Sequence, residues 1–136
     1  HMLGEPRTMQ NDPRYNDVVA EVIAFLKERV AAAEKLGIED IWVDPGIGFG
    51  KTLAHNLALL NATERIAKET GRPVVVGASR KSFIAKIDPG AEAGAGRVGG
   101  SVAAALLAAQ KGAAMLRVHD VMETVQALKV WRASAA

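Results

Sequence analysis

The 136-residue sequence contains no cysteine, which rules out disulfides and thiolate metal sites. A reducing compartment is compatible with that lack. No apolar run approaches the ~20 residues that a membrane span needs. The first residues lack the basic-then-apolar order of a signal peptide, so a soluble cytoplasmic protein is expected. Aromatic residues make up only 4%, too few to build base-stacking platforms. Charge of one sign is also missing. The 17 basic and 15 acidic residues leave +2, and no basic run extends beyond Arg80-Lys81. A nucleic-acid partner is therefore not expected. What remains is a globular composition, 49% apolar and 24% charged, of a size suited to one compact domain.

The opening stretch, His1 to Pro13, is rich in proline and polar residues and reads as a loop. Val18, Val22, Phe25, Leu26 and Val30 then recur at helical spacing, predicting a helix over Asp17 to Lys35. Asn16 or Asp17 can cap its start and Gly37 can end it. Ile41-Trp42-Val43 reads as a short buried strand. It is followed by the glycine-rich turn Asp44-Pro45-Gly46-Ile47-Gly48-Phe49-Gly50-Lys51-Thr52. The cycle repeats with a helix from Leu53 to Thr70, a strand Val74-Val75-Val76 and a short helix from Ser79 to Ile87. The glycine-rich stretch Asp88 to Gly100 reads as a mobile loop. Ser101 can cap a helix to Lys111, Met115 to Val118 reads as a third strand, and a last helix covers Met122 to Ala133. Helical connections between strands, with no hairpin turns, predict a parallel α/β sheet. Periodicity leaves open whether it is a doubly wound sheet or a (β/α)8 barrel. In both, ligands bind at the C-terminal ends of the strands. Asp44, Ser79, Arg80, Lys81, Arg117, His119 and Asp120 all fall there.

Three constellations can carry chemistry. The first is Asp44 to Thr52, where glycines admit positive φ and close approach of a ligand. Gly50-Lys51-Thr52 fits the end of a phosphate-binding P-loop, but the position of its opening glycine is Pro45, which has no N–H to offer. A nucleotide hydrolase is thus disfavoured, and a turn without a ligand is the plainer alternative. The second is Gly77-Ala78-Ser79-Arg80-Lys81-Ser82. Two cations at a helix start oppose the macrodipole, so either an anionic ligand or simple solvation must account for them. The third is Arg117-Val118-His119-Asp120. Alternation puts Arg117 and His119 on one side, and an arginine in an apolar strand needs an anion. His119-Asp120 can equally be a helix cap. His55, alone on a helix, reads as a surface residue.

Together these segments, with His1 to Gln10 before them, resemble dihydropteroate synthases in order and spacing across essentially the whole chain. The resemblance implies half of a (β/α)8 TIM barrel, from the end of strand 5 through helix 8. It also implies condensation of 6-hydroxymethyl-7,8-dihydropterin pyrophosphate with para-aminobenzoate. By the resemblance, Asp44 would take the pterin's paired donors and Lys81 its ring acceptors. Phe49 would pack on the aminobenzoate ring, while Ser82 and the helix start would take its carboxylate. Arg117 and His119 would hold the leaving pyrophosphate. Met2, Gly48, Gly77 and Ser79 would line the pocket, with Lys81, Arg117 and His119 as the catalytic set. Magnesium is the implied cofactor, although its ligand strand is missing from this chain and no metal ligand is assigned in it. A half barrel leaves open strand edges, so a homodimer or swapped oligomer is expected. A truncated chain can also be a non-catalytic folded fragment or binding module.

Overall fold

The computed structural model describes residues 1–2 and 4–134. Its first helix, α1 (Val18–Lys35), starts where Asp17 turns its carboxylate to the free N–H groups of Val19 and Ala20, at 3.0 and 3.0 Å. Glu21 reaches back to the N–H groups of Asn16 and Asp17, so both ends of the turn are satisfied. Val18, Val22, Ile23, Leu26 and Val30 are buried. Phe25, expected on that stripe, is instead 37% exposed and forms a T-shaped pair with the His1 ring. Gly37 follows the helix at φ 79°, as a terminating glycine should.

The single helix expected over Leu53 to Thr70 is two: α2 (Leu53–Asn61) and α3 (Thr63–Thr70). Two side chains explain the break. Thr63, fully buried, donates to the carbonyl of Leu60 at 2.8 Å, and Asn61 donates to that of Leu57 at 3.0 Å. Such local bonds compete with the helical ladder. Next come β1 (Val75–Val76), α4 (Ser82–Ile87), a 3₁₀ turn over Gly94–Arg97, α5 (Val98–Gln110), β2 (Met115–Leu116) and α6 (Val121–Ser134).

β1 and β2 pair in parallel, Val75 opposite Met115 and Val76 opposite Leu116. Val43 joins on the other side of β1 through a single parallel bridge to Val74. The strand expected at Ile41 to Val43 is therefore reduced to one residue, and Met115 to Val118 to two in regular pairing. Pro73 offers a carbonyl to Val43 but has no N–H to return, and Pro45 and Gly77 follow closely. The order Val43, β1, β2 is an α/β arrangement with helical crossovers, as expected. Helices α1, α2 and α3 pack together on one side and α5 rests on α6 and β2. Val22, Leu59, Ile66, Val74 and Ala108 are fully buried between them. Among the described residues no helix is long and apolar enough to cross a membrane.

Two further expectations change. Helix α4 begins at Ser82 rather than Ser79, because Arg80 adopts φ 57° and Lys81 is extended. Helix α5 begins at Val98, so Ser101 is no cap but a buried residue of the first turn, donating to the Arg97 carbonyl at 2.6 Å. Gly99 and Gly100, read as loop, are helical. A β-carbon on Gly100 would lie 2.5 Å from Cγ2 of Ile84, so the absence of a side chain lets α4 approach. Nothing lies within 4 Å of the corresponding point on Gly99. Gly99→Ala should therefore stabilise the chain by about 0.5 kcal/mol through helix propensity. Gly100→Ala should destabilise it by about 2 kcal/mol through overpacking. Urea midpoints of the two variants, moving in opposite directions, check both.

Candidate active site

The loop after Val43 doubles back on itself because Gly46, Gly48 and Gly50 take φ of 75°, 83° and 59°. Three of its N–H groups are already engaged. Gly46 donates to Asp44 Oδ1 at 2.7 Å, Gly48 to Asn56 Oδ1 at 2.7 Å, and Phe49 to the Gly46 carbonyl at 3.1 Å. Lys51 is 1% exposed and turns inward, its Nζ donating to the carbonyls of Gly46 and Phe49, both at 2.9 Å. It also reaches the His1 carbonyl and Nδ1, each at 3.2 Å. A P-loop needs free N–H groups and an outward lysine. Here the amides of Gly46, Gly48 and Phe49 are taken, and the lysine is bonded to oxygens of its own loop. Burial pushes the Lys51 ammonium down to about 8, against the opposing pull of the Asp44 charge.

Sequence reasoning passed over Lys51 as a structural residue and missed Asn56 altogether. Asn56 is 2% exposed and also donates to the Thr52 carbonyl at 2.9 Å, which ties the loop to α2. Its signal was a polar residue in register with Leu53 and Leu60 on the apolar stripe. His55, read as a surface residue, is no bystander. Its Nδ1 accepts from the Thr52 N–H while its own N–H donates to Thr52 Oγ1, both at 3.2 Å, closing a capping box. The rings of Tyr15 and His55 meet in a T-shaped pair with centroids 5.0 Å apart, and the Tyr15 hydroxyl donates to the Gly50 carbonyl at 3.1 Å. Gln10 donates to the Gly48 carbonyl at 2.7 Å, so the opening segment laces onto the same loop.

On that frame the charged residues converge. Asp44 Oδ2 accepts from Arg117 at 3.3 Å, an ion pair between half-exposed groups. The anion that Arg117 was expected to need is thus partly supplied by the chain itself. Lys81 lies across Gly48, where a β-carbon would come within 2.9 Å of its Cδ, and carries its ammonium 3.7 Å from the centre of the Phe49 ring. That is cation–π contact. Burial lowers the Lys81 pKa first and the Arg117 charge lowers it further, with Asp44 opposing. Gly77 is equally constrained: a β-carbon there would sit 2.6 Å from the Arg117 guanidinium.

Ser79 is 4% exposed and its Oγ accepts from the His119 N–H at 3.2 Å. The same oxygen stands 3.0 Å from His119 Nδ1. Since the hydroxyl accepts from the backbone, its proton is best directed to Nδ1. That puts the neutral imidazole's own proton on Nε2, free to donate outward. Gly77, Ser79, Lys81, Arg117, Val118 and His119 enclose a cavity of about 250 Å³. Asp44, Gly48 and Phe49 stand at its edge through Arg117 and Lys81. Met2, half-buried, and Ser82, exposed at the start of α4, are outside that lining. Arg80 faces away and binds Asp120, which carries neither a cap bond nor a solvated charge but a bidentate guanidinium.

The chain belongs to the pterin binding enzymes, a family that matches residues 1–119. Within it, the relatives are dihydropteroate synthases. That of Neisseria meningitidis serogroup B is 50% identical over 137 residues, covering 98% of this chain and 48% of that protein. Among solved structures, dihydropteroate synthase from Thermus thermophilus in complex with 6HMPPP aligns with TM-score 0.92 and 49% identity, over 100% of this chain and 54% of its own. The enzyme from Xanthomonas albilineans in complex with 7,8-dihydropteroate is 53% identical with TM-score 0.86, over 91% of this chain and 49% of its own. The chain thus spans about half the length of the curated relatives it matches.

Lys51→Met would leave the buried carbonyls of Gly46 and Phe49 without a donor and should destabilise the chain by about 3 kcal/mol. The pH dependence is also set. The folded-state value near 8 lies below the ordinary 10.5, so between these values the unfolded chain holds the proton more tightly. The contribution of Lys51 to stability therefore rises with pH from about 8 to about 10.5. Urea unfolding across that window should show this slope in the unaltered chain and not in Lys51→Met.

Proposed function

We propose that this chain is the C-terminal half of a (β/α)8 barrel, from the end of the fifth strand through the eighth helix. In this reading it carries part of the site at which 6-hydroxymethyl-7,8-dihydropterin pyrophosphate is joined to para-aminobenzoate. The observation that carries the reading is the cavity between the loops after β1 and β2. It gathers two cations, an imidazole donor and a nearby carboxylate at the C-terminal ends of parallel strands. The family and the ligands named for the solved relatives support the choice of substrates.

The chemistry follows from the groups. A pterin presents an amino group and a ring N–H side by side, which fits one carboxylate, and Asp44 is the carboxylate at this edge. Its bond to Arg117 is long and exposed, so two charge-assisted donors displace it readily. Lys81 then reaches the ring acceptors, while Phe49 offers a face to the aminobenzoate ring. The start of α4 at Ser82 is the candidate for the aminobenzoate carboxylate. In the reaction the bond from the methylene carbon to the pyrophosphate oxygen breaks. The amine nitrogen of the aminobenzoate forms the new bond and loses a proton. Arg117, released from Asp44, and His119 through Nε2–H would offset the charge gathering on the departing pyrophosphate.

Magnesium, expected from the resemblance, would shield that pyrophosphate when bound. The described residues contain no group of three His, Cys, Asp or Glu able to hold a metal, so they do not fit a resident ion and no step is assigned to one. Met115, Val121, Val125 and Val130 stay exposed on the β2 and α6 side, which is where the rest of a barrel would rest. A second copy of this chain would cover the same face. Sedimentation at micromolar concentration should then show a dimer, and a monomer would remove that part of the reading.

The central test is calorimetric titration of this chain with 7,8-dihydropterin pyrophosphate, with and without magnesium. Binding is expected, and Asp44→Asn should weaken it by about tenfold or more. Absence of binding by a chain shown to be folded would favour the other reading, a folded fragment whose site forms only with further barrel strands.

A further inference from the structure

Arg80 is the only non-glycine residue with positive φ among those described, at 57°. Three separate elements hold it there. Its N–H donates to Ser101 Oγ on α5 at 2.8 Å, and its carbonyl accepts from Arg97 at 3.2 Å. Its guanidinium donates to both oxygens of Asp120, from Nε at 3.1 Å and from the terminal nitrogen at 2.5 Å. The Asp120 side chain is only 9% exposed, and its pairing with Arg80 holds its carboxyl below the usual range. Ser101 is fixed in turn by its bond to the Arg97 carbonyl.

The side chains around Arg80 divide between two partners. Ser79 and Lys81, on either side of Arg80, both line the cavity, whereas Arg80 lies outside that lining and pairs with Asp120. Just past Arg80, the Lys81 side chain crosses Gly48 and sets its ammonium over the Phe49 ring. Asp120 is also the residue after His119, so one ion pair ties the loop bearing Lys81 to the loop bearing Arg117 and His119.

We infer that Asp120 and Ser101 are positioning residues: through Arg80 they set where Lys81 stands relative to Phe49, Arg117 and His119. The inference rests on the functional reading only for its purpose, and its geometry can be tested without any ligand. Lys81 supplies the signature, because its ammonium end lies over an aromatic face and its ε-methylene protons should be shifted upfield by the ring. Lys81 and Asp120 are on different loops: a change at Asp120 reaches Lys81 through Arg80 or, by way of His119, through Ser79, whereas Ser101 meets the Lys81 loop at the Arg80 N–H.

NMR of the isotope-labelled chain tests this with Asp120→Asn, Asp120→Glu and Ser101→Ala. In Asp120→Asn and in Ser101→Ala the Lys81 ε-methylene signals should move towards those of a free lysine. The Arg80 amide should exchange about tenfold faster. Asp120→Glu, which keeps the charge, should restore part of the shift. Lys81 signals unmoved in the folded Asp120→Asn and Ser101→Ala variants would overturn the inference. If Asp120→Asn does not fold, Ser101→Ala decides, since it leaves the ion pair intact. Titration with inorganic pyrophosphate separates the two questions. An unaltered chain that binds none counts against the functional reading, while the ligand-free signals still decide the role of Asp120 and Ser101.

Discussion

The buried ammonium of Lys51 is the interaction on which the arrangement of the site depends. A lysine that is 1% exposed is expensive unless its donors are met, and here they are met by carbonyls of the loop it follows and of His1. The positive-φ glycines turn those oxygens inward, and the lysine removes the repulsion among them. With the loop closed in this way Asp44 is held at the mouth and Gly48 is bare on the side where Lys81 crosses. Asn56 fixes the same loop from α2, and the opening segment fixes it from the other side through Gln10 and Tyr15. A glycine-rich loop of this composition would otherwise be among the softest parts of a chain. Polar bonds from three elements make it a rigid platform.

The order of the elements was legible in the sequence because a period-3.6 pattern and short β-branched runs are local signals. So was the placement of polar residues after strands. The expected helix α1 and α6 agree with the observed ones to within a residue or two, as local propensity and capping decide them. The misses share a different cause. The break between α2 and α3 depends on a buried threonine hydroxyl, the early start of α5 on close packing of Ile84 against Gly100, and the late start of α4 on the bonds that hold Arg80. Each is a tertiary effect with no period to read.

The site shows the same division. Spacing marked Asp44, Ser79, Arg80, Lys81, Arg117, His119 and Asp120 as residues that follow strands, and the structure gathers Ser79, Lys81, Arg117 and His119 around one cavity. Which side chains satisfy one another was not legible. Two adjacent cations at Arg80-Lys81 suggested a bound anion, yet one of them belongs to Asp120, forty residues away. An arginine in a strand suggested the same, and it finds Asp44. His55 looked unpartnered because a capping box that uses a histidine nitrogen is rarer than one that uses a carboxylate. Motif reading identifies where charge is concentrated, but the folded contacts decide which charge remains for a ligand.

That remainder can be counted by position. Removing the pair of Arg80 and Asp120, which faces away, leaves Lys81 and Arg117 beside the cavity with the carboxylate of Asp44 between them and His119 offering a further donor. Burial lowers the Lys81 pKa, and repulsion from Arg117 lowers it further. Once a ligand with paired N–H donors occupies Asp44, its carboxylate no longer answers Arg117, and both cations are left facing one small space. Such a field favours a ligand that is neutral and donor-rich at one end and multiply anionic at the other. A pterin carrying a pyrophosphate has that polarity, and an isolated phosphate or an isolated aromatic amine has only one end of it. In the proposed reading, occupation of the carboxylate by the ring would strengthen the pull on the anion in the same molecule and so link recognition of the ring to stabilisation of the leaving group.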